Sequence, residues 1–145
     1  MSDTLLRVGD VMTGDVKTID RMATVAEAIE RMRTAGVSSL AVERRDADDE
    51  YGLIVVTDIA RDVIACDRPT DRTNVYEIMT KPVLNVPCDM QARYAVRLLV
   101  RFNVSRALVV DASRSPVGIV TLRDLVLRTA LPPSPADMPP GVIEA

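Results

Sequence analysis

Histidine is absent from these 145 residues, and every mechanism that needs an imidazole goes with it. No Ser-His or Cys-His nucleophile pair can be assembled, and no unperturbed side chain is left to shuttle protons near neutral pH. Tryptophan is absent too, Phe102 is the one phenylalanine, and Tyr51, Tyr76 and Tyr94 complete the aromatics. The core must therefore be aliphatic. Cysteine is limited to Cys66 and Cys88, which form no CxxC and have no histidine nearby, so neither a zinc site nor a redox pair is signalled. Both read as ordinary thiols, Cys66 partly buried near a helix end. The six glycines lie at scattered single positions and make neither a Walker loop nor a GxGxxG turn.

Long apolar runs are also missing. No stretch approaches the roughly 18 apolar residues of a spanning helix, and residues 1 to 12 lack the basic leader and apolar run of a signal peptide. A cytoplasmic protein with no membrane association is expected. The formal charge of −3 offers no basic stripe to displace counterions from a duplex, so no nucleic-acid partner is expected. What is present is an ordinary globular composition, 48% apolar and 27% charged, in one domain's worth of chain.

The chain repeats itself. Asp10-Val11-Met12-Thr13 recurs as Glu77-Ile78-Met79-Thr80, and the same shift of 67 residues places Ala28 on Ala95, Met32 on Leu99, Val37-Ser38 on Val104-Ser105 and Val42 on Val109. After a one-residue change in loop length, Gly52 to Ile59 falls on Gly118 to Leu125. That period is too long for a solenoid unit and describes a duplicated subdomain. In the first copy, Val25, Ala28, Ile29 and Met32 follow the spacing of a one-sided helix, Thr24 and Glu27 read as its capping box, and Gly36 suits the left-handed residue that closes it. Ser39 to Glu43 and Tyr51 to Val56 read as strands joined by a solvated acidic hairpin, and a helix is expected from about Thr57 to Ala65. In the second copy Asp89 is placed to cap a helix with Ala92, Ala95, Val96, Leu99 and Phe102 on its apolar face. Strands follow at Ala107 to Val110 and Val117 to Val120, and a last helix at Thr121 to Ala130.

Each copy reads β-α-β-β-α, an α+β unit too small to bury its sheet alone, so the two are expected to pack sheet to sheet about a pseudo-twofold axis. The boundaries expected are 7–66 for the first repeat, 67–76 for a polar connector, 77–130 for the second repeat and 131–145 for a disordered tail holding five of the nine prolines.

The ordered set of an Asp-Val-Met-Thr opening, a capped helix, Gly-Val-Ser-Ser-Leu-Ala-Val or Asn-Val-Ser-Arg-Ala-Leu-Val-Val-Asp, and Gly-Ile-Val-Thr-Leu-Arg-Asp-Leu, met twice, resembles the CBS domain family over about residues 7 to 130. The resemblance implies a tandem, stand-alone CBS pair with two clefts, pairing into a homodimer, that binds AMP, ADP or ATP as a regulatory signal to a partner protein. S-adenosylmethionine or NAD is an alternative ligand, and a ligand-free dimeric scaffold an alternative role. No cofactor is required, and no catalytic or metal-binding residue is expected.

By that resemblance the first cleft joins Thr13, Lys17, Val37, Ser38 and Ser39 to Gly118, Thr121, Arg123 and Asp124. An ionised Asp124 can accept from both ribose hydroxyls, Thr121 adds a hydroxyl at a helix start whose free amides favour phosphate, and Gly118 would let the strand approach the ligand. The second cleft joins Thr57 and Asp58 to Val83, Val104, Ser105 and Arg106, the last a phosphate partner. Val55 stands where Thr121 stands in the other copy, which removes a hydroxyl from the second cleft, and Ala41 and Leu108 stand where many members carry proline. Asp124 and Asp58 are equally readable as residues of a helix's first turn, Arg106 as a surface or ion-paired residue, Ser38 and Ser39 as plain loop residues, and Met12 and Met79 as packing.

Overall fold

In the computed structural model, which describes residues 5–129, the chain runs α1 (Val8–Val11), β1 (Thr13–Gly14), β2 (Thr18–Ile19), α2 (Val25–Ala35), β3 (Ser39–Val42), β4 (Gly52–Val55), α3 (Val56–Ile59), β5 (Asn85–Pro87), α4 (Ala92–Arg101), β6 (Arg106–Val110), β7 (Pro116–Thr121) and α5 (Leu122–Thr129). A π-helical turn, Ala60–Ile64, extends α3, and a 3-10 turn occupies Val75–Glu77. The expected β-α-β-β-α order is present twice. Residues 131–145, read as a disordered tail, lie outside the described residues.

Local chemistry sets the helix ends. The Thr24 hydroxyl accepts from the Glu27 amide at 3.1 Å while the Glu27 carboxylate accepts from the Thr24 amide at 2.9 Å, and α2 starts there. It stops at Gly36, whose φ of 69° is left-handed; Asn103, one period later, holds φ 54° at the equivalent turn. Within each repeat a parallel pair and an antiparallel pair share one strand, giving β2-β3-β4 and β5-β6-β7. The copies match bond for bond: Ala41 donates to the Lys17 carbonyl and Leu108 to the Leu84 carbonyl, both at 2.9 Å. A proline at either position would lose that donor.

The packing unit differs from the sequence unit. Val8 and Val11 of α1 are buried in the second repeat's core, while Val75 and Ile78 are buried in the first repeat's. Strand β1 adds to β7 antiparallel, with Thr13 opposite Ile119, and Thr80 exchanges both backbone bonds with Leu53 at 2.8 and 3.0 Å. Each opening motif thus belongs to the other repeat's fold. Between the sheets, Ala41, Leu53, Val83 and Leu108 form a third buried cluster. That cluster is the sheet-to-sheet seam.

Several local expectations are corrected. Helix α4 begins after Gln91, and no side chain caps it, so Asp89 lies too early in the chain to do so. Phe102 is exposed, because α4 ends at Arg101 and the chain turns away through Asn103 before the apolar face would reach it. Cys66 is exposed beyond the π-helical turn. Val56 and Thr57 already belong to α3, whose N-cap is Val55.

The acidic hairpin is not wholly solvated either. Asp49 accepts from the Lys81 ammonium at 2.7 Å and from the Arg45 amide at 2.8 Å, with its side chain only 8% exposed. The Lys81 bond first, then the Arg45 amide, hold its carboxyl well below the usual carboxylate range. A carboxyl depressed on folding stabilises the fold above its unfolded pKa, and this contribution is lost as pH falls toward the folded value. Lys81→Met is accordingly expected to melt below the wild type at neutral pH, with the gap narrowing once pH drops under about 4, the ordinary aspartate value. A gap that does not change with pH in thermal melts would contradict this origin.

Candidate functional site

Two clefts open along the seam. The first, a cavity of about 250 Å³, gathers Thr13, Lys17, Val37, Ser38 and Ser39 from the first repeat with Thr121 and Asp124 from the second. The second, about 240 Å³, gathers Val83, Val104 and Ser105 with Thr57 and Asp58. Both lie just under the roughly 300 Å³ at which small-molecule pockets begin, which suits a ligand that leaves part of itself outside.

Two residues read into the first cleft do not line it. Gly118 is buried against β1: a Cβ there would come within 2.9 Å of the Thr13 carbonyl oxygen and would also overlap Met12. Its glycine serves the strand crossing rather than a ligand, and Gly52 repeats the contact against Met79. Arg123 points to solvent with its side chain 79% exposed, 3.5 Å from Asp124. The free amides expected at the start of α5 are also largely taken. Leu122 donates to the Ser105 carbonyl at 2.7 Å and Asp124 donates to the Thr121 hydroxyl at 3.1 Å.

The two aspartates differ in what they have left to offer. With Val55 at the N-cap there is no hydroxyl to serve the first turn of α3, and the Asp58 carboxylate bends back to accept from the Val55 amide at 3.0 Å. Its other oxygen accepts from Arg61 at 3.0 Å, and the side chain is 7% exposed. Hydrogen bonds to Asp62 first and Asp58 second hold the Arg61 guanidinium above its usual pKa. In the other repeat Thr121 does the capping, so the Asp124 carboxylate makes no hydrogen bond among the described residues and faces the cleft. The residue exchange at one N-cap separates a closed carboxylate from an open one.

Arg106, expected in the second cleft alone, lines both. Sequence reading also passed over Arg61, Thr80 and Asn103 in the second cleft and Asp15 in the first. The swapped opening segment brings Thr80 and Asp15 in, and its signal was already there in the duplicated Met-Thr pairs. Arg61 comes from the π-helical turn, which no pattern in the sequence announces. A third hollow, about 340 Å³, lies on the helical face between α2 and α3, with a lining almost wholly apolar that includes Ile29, Val37, Val56 and Ile64.

Two sheets meeting at a seam, with exchanged opening segments and two clefts along it, define a paired-repeat module. The chain belongs to the CBS domain family, whose model matches residues 8–65 and 75–130. It is 33% identical over 132 residues to inosine-5'-monophosphate dehydrogenase of Methanocaldococcus jannaschii, covering 90% of this chain and 25% of that enzyme. Among solved structures it resembles a hexameric CBS-CP12 protein from bloom-forming cyanobacteria, with 31% identity, TM-score 0.82 and coverage of 92% and 79% of the two chains. It also resembles the CBS domain of a bacterial CNNM/CorC family Mg2+ transporter in complex with ATP, with 27% identity, TM-score 0.70 and coverage of 86% and 87%. The chain spans 60% or less of the length of the first curated relatives it matches. Among the described residues no helix is long and apolar enough to cross a membrane.

Proposed function

We propose that this CBS pair is an adenine-nucleotide sensor that binds AMP, ADP or ATP in the first cleft and acts on a partner protein without chemistry of its own. The observation that carries the reading is the open Asp124 carboxylate, an acceptor for two ribose hydroxyl donors, facing a cleft whose other wall is a short polar segment. On that wall the Val37 carbonyl and the Ser38 amide have no partner among the described residues, while the Ser38 carbonyl already accepts from Val56 at 3.0 Å. One free acceptor beside one free donor matches the amino group and ring nitrogen of adenine. Lys17 and Arg106 supply positive charge for phosphate, Lys17 lying 3.0 Å from the Asp15 carboxylate. The ATP complex of the transporter CBS domain supports the same ligand class.

Calorimetry with AMP and ATP tests the reading; micromolar binding is expected, and no heat with any adenine nucleotide sinks it. A homodimer through the helical faces belongs to the same proposal. Val100, Phe102 and Leu127 stand at least half exposed on or beside α4 and α5, and the apolar hollow between α2 and α3 offers a second copy a matching seat. A monomer in sedimentation equilibrium at tens of micromolar would remove that part.

A further inference from the structure

We infer that the two clefts compete for one cation, Arg106, so that a phosphate-bearing ligand in either cleft weakens the binding of a second one in the other. The inference rests on the nucleotide reading above. The internal symmetry of the chain breaks at one strand start. The first residue of β3 is Ser39 and the first residue of β6, one period later, is Arg106. Ser39 is short, buried and confined to the first cleft, whereas the longer Arg106 side chain borders both cavities.

Nothing in the fold claims this guanidinium. Among the described residues it makes no side-chain hydrogen bond and no ion pair within 4.0 Å, although it is partly buried and feels the charge of Asp58 on one side and Asp124 on the other. Burial lowers its affinity for the proton and the two aspartates only partly offset this, so it sits under-solvated between two carboxylates. A phosphate entering either cleft offers two oxygens to the planar guanidinium fork, a bidentate pairing that neither Asp58, paired with Arg61, nor Asp124, beside Arg123, makes with it. Asp58 cannot compete for it fully because it is already held by Arg61 and the Val55 amide. Once committed to one phosphate, Arg106 is withdrawn from the other cleft, and the second ligand must bind with one cation fewer.

The test is a site-resolved NMR titration with AMP, following the Ser38 amide for the first cleft and the Ser105 amide for the second. In the wild type, Ser38 is expected to respond at lower AMP than Ser105. Weakening the first cleft with Asp124→Ala is expected to tighten the response of Ser105 by about tenfold at AMP concentrations that leave the first cleft largely free. Adding D124A to Arg106→Ser, which copies the residue of the equivalent position, is expected to shift Ser105 by less than about twofold, and so is the use of adenosine in place of AMP. Arg106→Gln repeats the cycle should the serine variant lose its fold. A Ser105 response that is equal in wild type and D124A, or absent altogether, overturns the competition and leaves the first-cleft reading standing. No response of Ser38 to AMP in the wild type overturns both.

Discussion

Replacing Leu108 by alanine is expected to lower the unfolding free energy by about 2–5 kcal/mol, the usual cost of a leucine cavity in a core. Leu108 is fully buried in the seam with Ala41, Leu53 and Val83. Its partner by internal symmetry is Ala41, so the layer is filled by one large side chain meeting one small one, and Ala41 has no atoms with which to fill the gap. A domain of this kind has only about 5–15 kcal/mol in total. The loss should therefore be plain in urea denaturation, with the midpoint falling at unchanged slope. Ser113→Ala, in the exposed turn between β6 and β7, serves as the control and is expected to stay within about 0.5 kcal/mol. A small effect at Leu108 would mean that the sheets do not lean on each other as described. The clefts would then lack a common wall.

The repeat and its elements were legible because each is written in short-range chemistry. Thr24 and Glu27 announce a helix start three residues apart, Gly36 its end, and alternation marks the strands. The family resemblance that the duplicated motifs carry then implies Thr13, Lys17, Ser38, Thr121 and Asp124 as companions. What escaped was set by contacts between distant segments. Nothing local in Asp10-Val11-Met12-Thr13 says that it packs on the far repeat, and for that reason Gly118 read as a ligand contact when it is a crossing point for Met12 and the Thr13 backbone. Asp49 read as solvated because its partner, Lys81, lies 32 residues away. Arg106 was assigned to one cleft because symmetry places its position there, but the reach of its side chain breaks that symmetry.

Asp124→Ala is expected to weaken AMP binding by about 10- to 100-fold, since hydrogen bonds to a charged acceptor contribute about 1.5–3 kcal/mol. The same change at Asp58 should leave the first cleft's affinity nearly intact and act on stability, because its carboxylate already serves the Val55 amide and Arg61. The sharper experiment leaves both aspartates in place. Thr121→Val copies the N-cap of the other repeat and removes the hydroxyl to which the Asp124 amide donates at 3.1 Å. The vacated cap gives the Asp124 carboxylate the use that Asp58 already has, bending back onto the amide of its own N-cap residue and away from the ribose. AMP affinity in T121V should then fall nearly as far as in D124A, while the cap loss itself costs about 0.5–2 kcal/mol at most. The reciprocal change, Val55→Thr, should release Asp58 and strengthen the second cleft. Wild-type AMP affinity in T121V by calorimetry would show that the carboxylate is held open by something other than the threonine hydroxyl.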